Sequence, residues 1–297
     1  GDLHGAEPAT HRQRSHPTGF GAEAPRCDAD PVPDTIDQQP DLGGPPPARF
    51  DLLELSDGAT ATSFRLDVRS ELCTPFAFLY GGSGIAASVE ASERATGRPL
   101  QWITTQYVGS PTPGDVVEFD VHIAAAGRST TQTQVTGSVD GRVVLASVCA
   151  HNVRSAGDEN AFGAMPDVPG PDESRAFDEI FRTGVSASFF DSFERRIAAG
   201  KFAHEAVGEP QTDGLAMWVR MFDQGIGSPA TQGFVADLGP LVVCASLGVA
   251  PGGTSLDNTI RVVDPTPADW VLIDLAADGF HRSVGHSTAR LWSEDGR

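Results

Sequence analysis

The chain has 297 residues, 39% of them hydrophobic, enough to fill the cores of two ordinary domains. Its formal net charge of -19, with Lys201 the single lysine among 21 basic residues, excludes a clamp on nucleic-acid backbones, which needs a basic face. The four cysteines, Cys27, Cys73, Cys149 and Cys244, have no CxxC spacing, which speaks against zinc and a disulfide framework and leads to a cytoplasmic expectation, while the lack of a run of about 18 apolar residues or a signal peptide predicts no membrane span.

Residues 1–48 hold nine of the 22 prolines and almost no aliphatic residues, so they are expected to form a disordered, dispensable tail. From Phe50 the character changes: Phe50, Leu52, Leu53 and Leu55, then Phe64, Leu66 and Val68, predict a strand pair joined through Asp57-Gly58. Gly81-Gly82-Ser83-Gly84 then opens a helix with Ile85, Ala86 and Val89 on one face, ended by Gly97 and Pro99. Amides at such a glycine-rich start can face an oxyanion or a thioester carbonyl; equally, the glycines can serve only close packing on a sheet. Strands follow from Val117 to Ile123, from Thr131 to Val139 and, after the turn Asp140-Gly141, from Val143 to Val153.

Residues 154 to 185 are rich in Gly, Pro and Asp and read as a linker. Beyond them an entry strand, Leu215 to Phe222, precedes a helix with Ser228 as N-cap, Pro229 in its first turn and a kink at Gly239-Pro240. Strands Thr254 to Val263, Trp270 to Ala277 and His286 to Trp292 lead to the turn Asp295-Gly296. This second series echoes the first. PTPGDVVEFDVHIAAAGRS from Pro111 and PTPADWVLIDLAADGFHRS from Pro265 stand at a constant offset of 154 residues, with Thr105 and Thr259 at the same shift, so one structural unit is used twice. In the first copy Asp140-Gly141 is followed by a return strand, whereas Arg297 follows Asp295-Gly296; this predicts a fragment whose second copy lacks its last strand.

There is no phosphate loop, HExxH or GxSxG elbow, so serine-nucleophile hydrolysis has no support. At the repeat offset Asp257 takes the place of Ile103, the asymmetry expected when one copy of a duplicated scaffold keeps the chemistry; a solvated carboxylate at a strand end would give the same pattern.

Residues 50 to 297 resemble the double-hotdog acyl-CoA thioesterases of the type II family. The resemblance rests, in order, on Tyr80-Gly81-Gly82, on Gly127-Arg128-Ser129, on Asp237, Leu238 and Leu241 as an Asp-Leu-x-x-Leu helix segment, on Leu256, Asp257 and Thr259, on Pro267 and Trp270, and on Trp292, Asp295 and Gly296. It implies an α+β fold, a tandem (double) hotdog with two antiparallel sheets each wrapped around a long helix. The domains would be 1–48 tail, 49–155 first hotdog, 156–185 linker and 186–297 second hotdog. It further implies acyl-CoA hydrolysis without metal or cofactor, by a water held between an aspartate, a hydroxyl and a glutamine on the last strand. Asp257 matches the aspartate; the second position falls near Asp278, with Ser283 close by; the glutamine would lie beyond Arg297. Gly81, Gly82 and Ser83, where the family often has glutamine, would form the oxyanion side, and Arg128 and Arg282 are candidates for the anionic CoA phosphates. Assembly of such units into a homo-oligomer is left open. Two rivals remain: an enoyl-CoA hydratase-like enzyme, which would need a histidine where Val262 stands, and an acyl-binding hotdog without a catalytic set.

Overall fold

The computed structural model describes residues 49–153, 163–177, 187–211 and 214–297. The expected tail, residues 1–48, lies outside the described residues, as do parts of the stretch read as a linker.

The segment at Phe50 is not a strand. Leu52 and Leu53 are adjacent, which breaks a period of two, and Asp51–Leu53 forms a single 3-10 turn closed by Glu54 in the left-handed region at φ 50°. The pairing begins later, between β1 (Ser56–Asp57) and β2 (Ser63–Asp67).

The helix α1 (Gly81–Thr96) follows, and every residue from Gly82 to Thr96 except Arg94 is buried. It ends as expected at Gly97, whose φ of 62° lets its N–H return to the Glu93 carbonyl at 2.8 Å. Two acids inside this helix accept backbone hydrogen bonds: Glu90 from the Phe50 N–H at 3.1 Å and Glu93 from the Leu100 N–H at 2.8 Å. They pin the chain before and after the helix.

Around α1 lie β3 (Leu100–Tyr107), β4 (Val116–Ala126), β5 (Thr130–Val139) and β6 (Arg142–Asn152). In β4, Val117, Phe119 and Val121 alternate with exposed Glu118, Asp120 and His122, the pattern of a half-buried strand.

In the second half the strands are β7 (Arg175–Ala176), β8 (Phe193–Ala199) and β9 (Leu215–Met221). Next come the helices α2 (Pro229–Ala236) and α3 (Gly239–Leu247), then β10 (Asp257–Arg261), β11 (Val271–His281) and β12 (Val284–Ser293). The stretch read as a linker is in part structural. Trp218 donates its indole N–H to the Pro169 carbonyl at 2.8 Å, Met165 and Val168 pack on Trp218, Trp270 and Trp292, and β7 pairs with β8. This segment covers the face of the second sheet turned away from the main core, so β9 is buried on both sides.

All strand pairings are antiparallel. The first sheet runs β1-β2-β4-β5-β6-β3-β10 and the second β12-β11-β9-β8-β7, so β10 of the second half extends the sheet of the first. The long helix expected in the second half is two helices. Ser228 caps α2, accepting the Thr231 N–H at 3.2 Å, and Pro240, which has no N–H, enforces a break rather than a bend at Asp237–Leu238. By length and composition alone Pro229–Leu247, at 19 residues and a mean hydropathy of 1.3, is apolar enough to cross a membrane, as a buried core helix also is; 61% of that window is buried inside the protein.

Burial pushes the Glu93 carboxyl up from 4.5 to about 7; the Leu100 N–H opposes the rise and the charge of Glu90 adds to it. The folded chain therefore holds more protons than the unfolded one between these values, and stability falls as pH rises through that window. Glu93→Gln keeps an acceptor for Leu100 and removes the titration. Urea denaturation across pH 4.5 to 8 should show a shallower decline for the variant, by on the order of 2–3 kcal/mol over the window.

Candidate active site

The break between α2 and α3 leaves Asp237 as the residue that caps the C-terminal end of α2, in a run that is otherwise apolar from Phe234 to Val243 apart from Gly239 and Pro240. Its side chain is turned into the protein, with the residue 8% exposed, and meets two other elements. From the segment entering β10, Ser255 Oγ donates to Asp237 Oδ1 at 3.0 Å and lies 3.3 Å from Oδ2; from β10 itself, Asn258 Nδ2 donates to Oδ1 at 3.2 Å. From α1, the Gly82 amide contributes a further hydrogen bond.

Burial wins over these donors. The Asp237 carboxyl is pushed up from 3.8 to about 7 by desolvation, against the pull of Ser255, Asn258 and the Gly82 amide. Two phenols flank it. Tyr107 donates its hydroxyl to the Gly81 carbonyl at 2.8 Å, and Tyr80 stacks on Phe189 with ring centroids 3.6 Å apart. Burial, reinforced by the charge of Asp237, holds both phenols well above the usual tyrosine range, so they stay protonated.

The glycines at the start of α1 are required for this approach. A methyl group on Gly81 would strike Asp237 Oδ2, and one on Gly82 would strike the Tyr80 ring and the Phe234 carbonyl. Close packing, one of the two readings of the glycine run, is thus met against α2. The Ser83 side chain is used structurally, donating to the Leu72 carbonyl at 2.9 Å.

The other expected site residues are not among the donors to Asp237, although Asp257 lines a groove that Asp237 also lines and its charge acts on Tyr107. Asp257 is exposed and shares the outer face of β10 with Thr259, which bonds Thr104 at 3.0 Å, and with Arg261, which lies over Trp102. Asn258 and Ile260 take the inner face, and Ile260 reaches Gly233 of α2. A period of two thus turns the aspartate of the Leu-Asp pair away from the carboxylate site. Asp278 is exposed at the irregularity in β11 and accepts from Thr288 Oγ1 at 2.8 Å. Arg282 and Ser283 form the exposed turn between β11 and β12, with φ of 50° and 64°, beyond Gly285, which abuts Val243 in the middle of α3. Arg128 is exposed in the turn after β4, where the Gly127 carbonyl accepts from Arg98 just past the C-terminal end of α1. Gly81 begins the same helix, roughly 24 Å away at 1.5 Å per residue.

The sequence reading used Asp237 only as a fingerprint residue and did not single out Ser255, Asn258 or Tyr107, which the structure gathers around it. The available signal was an acid in the middle of an apolar helical run, where a carboxylate without a local partner is costly.

The two halves match separate domains of one family: residues 69–151 the acyl-CoA thioesterase N-terminal domain and residues 164–297 the acyl-CoA thioesterase C-terminal domain. The chain belongs to the acyl-CoA thioesterase family. By that membership it is a thioester hydrolase. Among solved structures, the thioesterase resembles one assigned as a thioesterase from Novosphingobium aromaticivorans, with 25% identity, TM-score 0.71, and 82% of this chain and 93% of that one covered. A protein from Thermobifida fusca assigned as a thioesterase II shares the fold at 15% identity and TM-score 0.72, covering 84% and 94% of the two chains. A hot dog fold protein of unknown function from Alicyclobacillus acidocaldarius does so at 19% identity and TM-score 0.70, covering 82% and 90%. No curated protein matches the thioesterase by sequence.

Two substitutions test the geometry of the thioesterase. Gly81→Ala forces the Asp237 carboxylate off its donors and should lower stability by about 1–3 kcal/mol, read by urea denaturation. Asn258→Ala removes a donor that favours the charged form, so the Asp237 carboxyl should titrate at higher pH, measured by carbon-detected NMR of its side chain.

Proposed function

We propose that this thioesterase hydrolyses acyl-CoA with a water activated at Asp237. The observation that carries the reading is the buried carboxylate, with a pKa of about 7, held by Ser255 and Asn258 against the first turn of α1. A base is most effective near neutral pH when its pKa lies there.

In this reading the thioester carbonyl sits at the N-terminus of α1. Asp237 accepts a proton from water as its oxygen attacks the carbonyl carbon. Negative charge then develops on the carbonyl oxygen, on the side where the helix presents the positive end of its dipole. Collapse of the tetrahedral intermediate breaks the carbon–sulfur bond, and the proton on Asp237 goes to the departing thiolate, giving free acid and CoA. Ser255 Oγ, within hydrogen-bond distance of the carboxylate, keeps it oriented and can share the water. The protonated phenols of Tyr80 and Tyr107 put no second charge beside it.

Asp237→Asn should lower kcat by at least about a hundredfold with thermal unfolding little changed, whereas Asp257→Asn should retain most activity. Thiol release from a panel of acyl-CoAs measures both, and the reverse ranking would return the chemistry to Asp257. For the parent protein, kcat/KM should rise with pH through about 7 as Asp237 ionises, and Asp237→Asn should lose that limb. A parent profile flat from pH 5.5 to 8.5 would count against Asp237 as the base.

A further inference from the structure

The first amides of an α-helix have no acceptor within the helix itself. At the start of α1 most of them are already committed. The N–H of the cap residue Tyr80 bonds the Leu72 carbonyl at 3.0 Å, the Gly82 amide bonds Asp237, and the Ser83 N–H folds back to the Tyr80 carbonyl at 2.9 Å. The Gly81 N–H has no acceptor among the described residues. An oxygen that gains charge is held by several preorganised donors, and one amide falls short of that. Ser83 cannot make up the difference, since its hydroxyl is spent on the Leu72 carbonyl.

A second donor stands beside that amide. Tyr80 is 4% exposed, and its hydroxyl is buried with no hydrogen-bond partner among the described residues. The Asp237 amide approaches the phenol oxygen outside hydrogen-bond geometry and could only donate to it, so the hydroxyl proton has no acceptor. A methyl group on Gly82 would lie 2.7 Å from Tyr80 Cζ, the carbon that bears the hydroxyl, and one on Gly81 would strike Asp237 Oδ2. The free phenol, the free amide and the carboxylate therefore meet over the first two residues of α1.

Packing does not explain the hydroxyl. The Tyr80 ring is clamped flat on Phe189, with its edge against Phe234 at a centroid distance of 5.6 Å, and phenylalanine would make both contacts without burying an unpaired polar group. Tyr107, the neighbouring phenol, has its proton committed to the Gly81 carbonyl at 2.8 Å. Burial keeps the Tyr80 phenol protonated across the working pH range, so it remains a donor.

We infer that the Tyr80 hydroxyl and the Gly81 N–H receive the thioester carbonyl oxygen and hold it as it becomes an oxyanion. The proton stays on the phenol throughout, and the one that reaches the departing thiolate comes from Asp237. The inference rests on the reading that places the carbonyl at the start of α1.

Tyr80→Phe removes one hydroxyl and keeps the ring. Its thermal unfolding should be unchanged or later, because the lost group bonds no described part of the protein, whereas Tyr107→Phe breaks an internal bond and should unfold earlier. With the acyl-CoA turned over fastest in the panel, Tyr80→Phe should lower kcat by at least about tenfold and leave KM little changed. A second measurement reads the bond itself. In an acyl-CoA analogue with a methylene in place of the sulfur, which cannot be hydrolysed, the carbon-13-labelled carbonyl should stretch at lower wavenumber when bound to the parent than to Tyr80→Phe. The inference is overturned if Tyr80→Phe keeps the parent kcat, if the stretch is the same in both proteins, or if the variant unfolds earlier, which would assign the hydroxyl to the fold. The pH profile separates this inference from the assignment of the base. A limb near 7 that is lost in Asp237→Asn retains Asp237 even where Tyr80→Phe is fully active, and a flat parent profile removes Asp237 while leaving a loss in Tyr80→Phe standing.

Discussion

Desolvation of one carboxylate organises this molecule. Asp237 is buried where α1, the α2–α3 break and the entry to β10 converge, and its donors come from two separate pieces of chain, Gly82 from α1 and Ser255 and Asn258 from the start of β10. Remove any one and the charge is left in a medium that disfavours it. Several features that look unrelated follow from that constraint. Gly81 and Gly82 lack side chains because α1 must come into contact with Asp237 and Phe234, and Pro240 breaks a helix whose continuation would leave no reason for an acid at that point. The result is a buried carboxyl that titrates at about 7.

The two helices treat buried acids in different ways. In α1, Glu90 and Glu93 are spent on backbone N–H groups at Phe50 and Leu100, fixing the chain where it enters and leaves the helix. In the second half, Asp237 is held by side chains and an amide of the partner copy instead. Both copies thus place carboxylates inside the core, but what they hold differs: in one copy they fix the backbone at the ends of a helix, in the other they meet side chains and an amide across the two copies.

Much of the fold was legible. The shared PTP-x-D pattern at Pro111 and Pro265 located β4 and β11, the Asp140-Gly141 turn located β5 and β6, and Ser228-Pro229 located the start of α2. Local chemistry decides those features, and local chemistry is visible in a sequence. The site was legible only as a neighbourhood. Asp257 and Asn258 are adjacent, and which of them faces Asp237 depends on the pairing of β10 with β3, a contact between residues about 155 positions apart. The same limit hid β7 and β8, since nothing local in Arg175–Ala176 announces a partner at Arg196–Ile197.

The crossing of β10 into the first sheet ties the fates of the two copies together. Register in a sheet has a period of two, so a one-residue slip of β10 against β3 exchanges Asp257 for Asn258 at the inner face. The alignment of the Asp237 site is therefore written partly in the first copy, at Thr104 and Ile103, which touch Thr259 and pair with Ile260. A change on either side of this seam therefore acts on both copies at once, because each strand takes its register from the other.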